Sequence, residues 1–461
     1  MSQRKRKNQR RKKLAAAHAP LDLAHHAHAA GIDVGAEELV AAVPPGHGPA
    51  PHVRTFSAFT AGLHALRDWL RDCAITTVAM ESTGNYWLCL TAILEDAGLE
   101  VCLVNARHVR GVPGKKTDVC DAAWLQQLHS AGLLRGSFRP QKEILPLRYL
   151  LRHRGDLIAQ AGQQVQLMQK VLTEMNPHLH HVFSDVDGES AQAIITAILG
   201  GERDAEKLAA LRDRRARAPL DKIKAALEGD YREEYLFVLR QVQARWQQLG
   251  DSIVECDEEI ARRTAAIAGV TDAPLPKAPA AQRRVQKNLT MAMPVHEEAH
   301  RLLGVDLSAV PGVSGGVLCV LMSELGTATH IRKKFRSAEA FASWLGLCPD
   351  NRISGGRVLK ARTRKVTNRI ANILRMAAHA LSRAHGPMGE YVRRFKGRLG
   401  KAEGIVAGAH KLARILWAMI VSGEPYDEKK AFAITEASTA RRLKNLQHQA
   451  KALNMTLVPN Q

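Results

Sequence analysis

The sequence predicts an α/β domain, followed by a helical connector and a mainly α-helical, basic C-terminal domain. Near the N-terminus, β-rich runs come first and then alternate with helical runs, which is the order of a mixed α/β sheet. Between residues 146 and 267, apolar residues recur every three, four or seven positions. Of the 461 residues, 46% are apolar and only 5% aromatic, which favours Ala/Leu-rich helices over a β-sandwich. A chain of this length predicts two to four domains.

The first domain is predicted to contain five strands. "AAGIDVGAEELVAAV" predicts two strands joined by a glycine turn, and "HVRTFSAF" predicts a third, antiparallel strand. "ITTVAME" and "LEVCLVN" follow, each after a helix. The first of these helices has Leu63, Leu66, Trp69 and Leu70 at helical spacing. A further helix begins at "KTDVCDA". We expect the first and fourth strands of this sheet to be neighbours.

The connector is predicted to be almost wholly helical, with a coiled-coil-like seam. The seam residues are Leu150, Leu157, Ala161, Val165, Met168, Leu172 and Met175. "NPHLHHVFSDVDG" interrupts the helices. Because its histidines have neither partner cysteines nor an HExxH frame, we interpret them as a chance polar cluster. The Pro/Ala-rich "GVTDAPLPKAPAAQRRVQK" is typical of a linker.

The formal net charge of +21 is concentrated in two zones. Residues 1–13 carry eight basic groups and no acidic group, and residues 331–414 carry 20 basic and four acidic groups. The rest of the chain is nearly neutral. Concentrated basic zones indicate a polyanionic partner, and nucleic acid is the partner that we expect. A disordered solubility tail is the alternative for the N-terminal zone.

The seven cysteines are scattered through apolar runs without a CxxC pair, which predicts buried free thiols rather than a disulfide framework or a zinc site. No apolar run is long enough to predict a membrane span, and no signal-peptide core follows the N-terminal charges. The sequence therefore predicts a cytoplasmic, nucleoid-associated protein that does not contact membranes.

Four carboxylates are placed so that they could converge. Asp33 lies in the first strand, Glu81 ends the fourth, and Asp118 and Asp121 open the later helix. Each acid alone is better explained as a surface or helix-capping residue. Together they would repel one another, and two Mg²⁺ ions about 4 Å apart would offset that repulsion. Such a metal pair supports phosphoryl transfer, so a metal site is our interpretation of the set.

These residues resemble the insertion-sequence family 110 transposases. Asp33 in "GIDVG", Glu81 in "MESTGNYW" and the "KTDVCDA" run look like the DEDD set of that family. "FASWLGLCPDNRISGGRVL", "NRIANILRMAA", "YVRRFKGRLG" and "AHKLARILWAMI" look like its C-terminal transposase domain, and "QKVLTEMN" and "DVDGESAQAIITAILGGE" are similar to its connecting region. The likeness runs from about residue 30 to 425. The basic arm is longer than the family pattern.

We predict six segments along the chain, of which the resemblance implies three: the RNase H/RuvC-like domain, the coiled-coil region and the serine-bearing domain. The six segments are residues 1–29, a basic arm expected to be disordered; 30–139, an RNase H/RuvC-like domain with the DEDD set; 140–270, a helical coiled-coil region; 271–300, a linker; 301–425, the C-terminal transposase domain with a serine; and 426–461, a C-terminal tail.

The resemblance also implies the site residues. Asp33, Glu81, Asp118 and Asp121 would bind Mg²⁺ (or Mn²⁺), and Ser354 in "ISGG" would be the nucleophile that forms a phosphoserine intermediate. Two glycines after a serine leave room for a phosphate to approach. The basic residues that we expect to contact nucleic acid are Arg352, Arg357, Lys360, Arg362, Arg364, Lys365, Arg393, Arg394, Lys396 and Arg398.

The partners implied by the resemblance are DNA, at element ends and target, and an element-encoded bridge RNA that pairs with both DNAs. A homo-oligomer, either a dimer or a tetramer, is also implied, in which the serine of one subunit meets the carboxylates of another.

Three alternatives stay open from the residues alone. A RuvC-like endonuclease would use the same carboxylates to hydrolyse junction DNA with water and would form no adduct. A tyrosine recombinase would use Tyr391 with Arg375, His379 and His410, but it gives the carboxylates no role. A non-catalytic nucleic-acid-binding scaffold would tolerate alanine at all four acids.

Overall fold

The computed structural model of the protein describes most of the chain. The described residues are 26–105 (without 49 and 83), 118–277, 291–432 (without 361 and 365) and scattered positions between 443 and 455. The predicted basic arm at residues 1–13 and the middle of the predicted linker lie outside these residues. The chain divides into two compact units, Met1–Arg139 and Pro140–Gln461, and each is described by itself.

The first unit is built on a five-stranded mixed sheet with the order β3-β2-β1-β4-β5. The strands are β1 (Ala29–Val34), β2 (Glu38–Ala42), β3 (Val53–Ser57), β4 (Thr77–Glu81) and β5 (Glu100–Val104). The first three pair in antiparallel fashion, whereas β1 with β4 and β4 with β5 are parallel. The prediction that the first and fourth strands are neighbours is confirmed.

Helices cover both faces of this sheet because the side chains of each strand alternate between the faces. The helices are α1 (Thr60–Asp72), α2 (Trp87–Asp96) and α3 (Asp118–Ser130). On one face, Ile32 and Met80 pack with Leu66 and Leu70 of α1, as the helical spacing predicts. On the other face, Leu125 of α3 packs against the sheet in a smaller cluster.

The second unit begins with a long helical region. Its helices are α4 (Leu145–Glu174), α5 (Glu189–Leu199), α6 (Ala205–Ala210), α7 (Leu220–Ala225) and α8 (Glu233–Ala265). The two long helices run antiparallel, since Met168 near the end of α4 packs in one core with Leu239 near the start of α8. At the opposite end, Arg154 of α4 forms a buried ion pair with Asp257 of α8.

The predicted seam is buried mainly towards the end of α4. Met168, Leu172 and Met175 are buried, whereas Ala161 and Val165 are only half-buried. The C-terminal half of α4 packs with α5 and α8 in the core cluster of this region. The seam therefore packs against a folded helical subdomain and not only against α8.

Among the described residues, the rest of this unit is helical apart from one β-hairpin. Its elements are α9 (Val295–Leu303), α10 (Gly315–Leu325), α11 (Ala328–Lys334), α12 (Ala338–Trp344), β6 (Arg352–Ser354), β7 (Arg357–Lys360), α13 (Arg369–Leu381), α14 (Pro387–Leu399), α15 (Lys401–Ser422) and α16 (Glu428–Phe432). The sequence predicts mostly helix through residues 341–381, so the hairpin is a correction to that prediction.

Within the described residues, α15 is the one helix long and apolar enough to cross a membrane by length and composition. The expectation that no apolar run reaches that length is therefore wrong for this segment. Half of its apolar window is buried inside the protein. At Gly408, an added Cβ would touch Val392 of α14 and Ala378 of α13, so these helices pack closely around α15. We interpret α15 as a core helix.

The described cysteines are all free, as predicted, and Cys120 lies outside the described side chains. Their predicted burial holds for Cys73, Cys256 and Cys319, but Cys89 is exposed. Burial raises the pKa of the Cys319 thiol to about 12, so this thiol stays protonated and packs as an apolar group.

Candidate active site

Two of the predicted metal ligands lie at adjacent positions of the sheet. Ile32 of β1 pairs in parallel with Met80 of β4, so Asp33 and Glu81 occupy the next positions of the two strands. Both follow buried residues and are themselves half-buried. Because side chains alternate along a strand, Asp33 shares the face of Gly31. That is the face covered by α3.

The backbone of α3 lies directly against β1 at Gly31. A Cβ at this position would clash with the amide nitrogen of Gln126 and the carbonyl oxygen of Ala122. Both are backbone atoms, so no side-chain rotation could relieve the clash. Gly31 is a residue that our sequence interpretation missed, and its signal was a glycine inside an otherwise apolar strand.

A second contact fixes the direction of α3 across the sheet. Near its C-terminal end, His129 Nε2 lies 2.9 Å from the hydroxyl of Thr77, the first residue of β4. Since Ala122 lies against Gly31 in the middle of β1, the N-terminal turn of α3 lies towards the carboxyl ends of β1 and β4. Asp121, which is exposed, therefore lies at the edge where Asp33 and Glu81 emerge. The side chain of Asp118, the first residue of α3, lies outside the described part of the structure.

The contact at His129 makes the docking of α3 sensitive to pH. His129 is 5% exposed. Burial and, less strongly, the neighbouring His26 lower its pKa from 6.5 to about 4. Between about pH 6.5 and pH 4, the unfolded chain binds a proton at this residue and the folded chain does not. The contribution of His129 to the free energy of unfolding is therefore fully present above pH 6.5 and is lost as the pH falls towards 4.

We expect the free energy of unfolding to fall by about 1 kcal/mol per pH unit from this group between pH 6 and pH 4. His129→Gln keeps a hydrogen-bonding side chain and removes the titration. Urea unfolding of both proteins, followed by fluorescence from pH 7 to pH 4.5, should therefore give a shallower pH dependence for the variant. Identical pH dependence would show that His129 is not buried in its neutral form.

The donor set at this edge suits a hard divalent cation. Asp33, Glu81 and Asp121 offer only carboxylate oxygens, which Mg²⁺ and Mn²⁺ prefer over softer ligands. Two of them, Asp33 and Glu81, hold adjacent register positions on one face of the sheet, where both charges would attract a cation between them. These residues therefore fit a magnesium site.

Ser354 lies at the tip of the β6–β7 hairpin. It pairs with Arg357, so Gly355 and Gly356 alone form the turn. Both glycines have positive φ angles, 54° and 80°, as a two-residue type I′ turn requires. An added Cβ at either glycine would meet no atom within 4 Å, and Ser354 itself is exposed. The serine hydroxyl is thus carried on a short turn with open space around it.

The predicted cations around the serine differ in their contacts. Arg357 and Arg362 are exposed. Arg364 donates to the carbonyl oxygen of Ser343, so part of its bonding capacity connects the hairpin to the end of α12. The side chains of Arg352 and Lys360, and all of Lys365, lie outside the described part of the structure.

The four predicted cations of α14 divide into two pairs. Arg393 donates to the carbonyl oxygens of Ser382 and Ala384, and Lys396 donates to the hydroxyl of Ser382. These two side chains cap the C-terminal end of α13. Arg393, Arg394 and Arg398 are all exposed, but Arg394 and Arg398 lie over the ring of Phe395, at 5.5 Å and 5.1 Å from its centroid.

We expect Arg394 and Arg398 to contact phosphates and Arg393 to act mainly in structure. Arg394→Gln with Arg398→Gln should weaken DNA binding for all sequences and reduce the salt dependence of log K by about 2, since each phosphate contact contributes about 0.9. Arg393→Gln is the matched control. It should lower the melting temperature and leave the salt dependence of log K nearly unchanged. Equal salt slopes for the double variant and the parent would contradict the division.

The structure disfavours the other nucleophiles. Tyr391 is half-buried, and burial raises the pKa of its phenol, which opposes formation of the phenolate. Ser314 is the residue before α10 and is half-buried, and Ser343 is half-buried in the last turn of α12. The apolar neighbours of Ser343 in the sequence, Ala342 and Trp344, predict a buried hydroxyl, and the structure shows it half-buried instead. Of these four side chains, Ser354 is the one that is exposed.

Two models of known protein families match the chain. Residues 30–177 match the DEDD transposase model of the IS110 type, which is described as Transposase. Residues 306–393 match a model described as Transposase IS116/IS110/IS902 family. The first match contains the four carboxylates and the second contains Ser354, and together they cover about half of the chain. No curated protein matches the chain. The chain belongs to the IS110 family of insertion-sequence transposases and is a DNA transposase enzyme.

Proposed function

We propose that this transposase cuts and rejoins DNA strands through a covalent bond between Ser354 and phosphate, at element ends and target sites chosen by a bridge RNA. The carboxylates of the first unit bind the metal ions of the reaction. The position of Ser354, exposed on a two-glycine turn, is the single observation that carries this proposal.

The first unit supports a metal-dependent phosphoryl transfer. Its sheet has three antiparallel strands followed by two parallel ones, in the order β3-β2-β1-β4-β5, which agrees with an RNase H/RuvC-like domain. Asp33 and Glu81 emerge together at the carboxyl edge, and α3 brings Asp121 to the same edge. Mg²⁺ held here would stabilise negative charge on the phosphate oxygens and lower the pKa of the attacking hydroxyl.

The chemistry is two successive transesterifications. In the first, Ser354 Oγ attacks phosphorus, one phosphorus–oxygen bond to deoxyribose breaks, and the serine proton is lost while the sugar hydroxyl leaves. In the second, the hydroxyl of another DNA end attacks the phosphoserine, and Ser354 is regenerated. Each step exchanges one phosphodiester for another, so no external energy source is needed. Arg357, which pairs with Ser354 across the hairpin, and the exposed Arg362 would offset charge on the five-coordinate phosphate.

The partners of the proposed reaction follow from the family. An RNA that pairs with donor and target DNA would supply sequence specificity, while the basic surface of the second unit supplies affinity through phosphates. A dimer or tetramer, in which Ser354 of one subunit reaches the carboxylates of another, completes the site in this proposal. The contact between the antiparallel helices α4 and α8 supports the coiled-coil connector that the family pattern expects.

A second candidate function is a hydrolytic, junction-specific endonuclease. It is favoured by one observation, that Asp33, Glu81 and Asp121 all belong to the first unit and lie at one edge of its sheet. Water would then replace the serine as the nucleophile, and the products would be free DNA ends.

Identification of the covalent bond tests the proposal. The purified protein with its co-purified RNA is incubated with element-end DNA and Mg²⁺, denatured, and digested with protease and nuclease. We expect mass spectrometry to find a nucleotide on the peptide that contains Ser354, and sequencing of the co-purified RNA to find element-encoded transcripts. Free DNA ends without an adduct would support the endonuclease, and an adduct on Tyr391 would support the tyrosine mechanism.

A further inference from the structure

Three histidines of the second unit come together outside the proposed active site. In His178, His180 and His181, one ring nitrogen of each lies within 4.8 Å of the others. The rings of His180 and His181 are 4.2 Å apart, and those of His178 and His181 stack at 5.1 Å. The sequence alone predicts that these histidines are a chance polar cluster, because their spacing matches no metal-binding motif.

The backbone that carries these histidines is held by the core. The 3₁₀ turn Leu179–His181 buries Leu179 completely, and Val182 after it is also buried, both in the core formed by α4, α5 and α8. The amide of His178 donates to the carbonyl oxygen of Ala226 at the end of α7, over 2.8 Å. The histidines are therefore positioned by the fold before any ligand binds.

The hydrogen bonding of His178 leaves one nitrogen available. Its Nε2 lies 3.2 Å from the side-chain oxygen of Asn176, and Asn176 in turn donates to the carbonyl oxygen of Glu228. Because an amide oxygen only accepts, Nε2 carries the proton and Nδ1 carries a lone pair. This Nδ1 is buried and has no hydrogen-bond partner within the described residues. A buried acceptor without a partner is costly, and a cation would satisfy it.

We propose that His178, His180 and His181 bind a borderline transition-metal ion, with Zn²⁺ as the natural occupant, and that Asn176 positions His178 for this role. Imidazole nitrogens suit Zn²⁺ and do not suit Mg²⁺, so this site is chemically distinct from the carboxylate edge of the first unit. Three imidazoles leave a fourth coordination position for water or another ligand. Metal-binding histidines usually donate their other ring N–H to a hydrogen-bond acceptor, and His178 donates to Asn176 in this way.

The consequence of such a site is a fixed turn at a corner of the helical region. The histidines follow α4, and the backbone amide of His178 donates to Ala226 at the end of α7. Because all three ligands lie between residues 178 and 181, a metal ion here would hold the turn that leaves α4 in its folded conformation and so support this contact with α7. Binding to the folded chain alone stabilises that corner by mass action.

Metal titration of the full-length, untagged protein tests the proposal. After removal of bound metal with a chelator and dialysis, Zn²⁺ is titrated by calorimetry and Co²⁺ by visible absorption. We expect one equivalent of Zn²⁺ per chain, a rise in melting temperature, and a Co²⁺ spectrum typical of nitrogen and oxygen ligands. Charge-transfer bands typical of thiolate ligands would place the metal on cysteines instead and overturn the proposal.

Variants identify the ligands. His180→Asn with His181→Asn should lower Zn²⁺ affinity at least tenfold, and both residues are exposed enough for the fold to persist. Asn176→Gly removes the positioning amide while tolerating the positive φ of 78° at this residue, and it should cost about 10–100-fold in affinity. The matched control is His28→Asn with His47→Asn, which breaks another histidine contact, at 3.0 Å in the first unit. Unchanged Zn²⁺ affinity in the His180/His181 variant, or an equal loss in the control, would refute the site.

Discussion

Ser354→Ala is expected to abolish both the protein–DNA adduct and the recombinant product while leaving RNA and DNA binding intact. The reason is chemical, because alanine has no hydroxyl to form the phosphate ester. It is also structural, because Ser354 is exposed on a turn whose shape depends on the two following glycines and not on the serine. The measurement is denaturing gel analysis of labelled element-end DNA, together with filter binding of the same DNA.

Two controls make the result specific. Ser314→Ala and Ser343→Ala remove half-buried hydroxyls from the same unit and should retain the adduct. Gly356→Ala keeps the nucleophile but forces alanine into a backbone with a φ of 80°, so adduct formation should fall while binding persists. Normal recombination by Ser354→Ala would end the serine mechanism. Loss of recombination with normal adduct formation would assign Ser354 to a later step.

Replacing Asp33 with Asn, or Glu81 with Gln, is expected to reduce strand exchange at least a hundredfold. Each change removes one anionic ligand from the carboxyl edge of the sheet and keeps the side-chain size. Activity of the parent protein should require Mg²⁺ or Mn²⁺ and should disappear with EDTA. Because each change keeps the size of the side chain and a hydrogen-bonding oxygen, the melting temperature of the metal-free protein should stay nearly constant.

The matched control is Glu37→Gln, an exposed carboxylate in the turn after β1. It should retain activity, so that loss in the other two variants cannot be assigned to charge alone. A drop in melting temperature for Asp33→Asn would indicate a structural role instead of a metal-binding one. Full activity of the parent in EDTA would refute the metal site altogether.

The fold of the first unit could be predicted because its patterns are local. The spacing of Leu63, Leu66, Trp69 and Leu70 gives the buried face of α1 directly. The meeting of Asp33 and Glu81 follows from a general property of parallel strands, whose carboxyl ends share one edge of the sheet. The spacing of apolar residues cannot show that α3 touches β1 through backbone atoms. That contact is possible because Gly31 has no Cβ atom.

The second unit shows where such reasoning stops. The hairpin strands at residues 352–354 and 357–360 are short and basic and carry no alternation of apolar residues, so only the turn could be recognised. Arg393 and Arg394 are adjacent and identical in type. The turn of α14 nevertheless directs Arg393 towards carbonyl oxygens just after α13 and Arg394 over the ring of Phe395. The three histidines needed a folded turn to bring their rings together.

The close approach at Gly31 has a consequence for how this transposase can change. Most metal sites can be adjusted by remodelling a packing side chain beneath a ligand-bearing helix. Here the layer beneath α3 is itself main chain, so no such intermediate layer exists at this point. The backbone contact therefore fixes the distance between Asp33 and Asp121. Substitutions in the surrounding core can alter stability without changing that distance. Directed evolution of this enzyme should accordingly find variants of altered activity in the hairpin and the basic surface, and very few at the α3–β1 crossing.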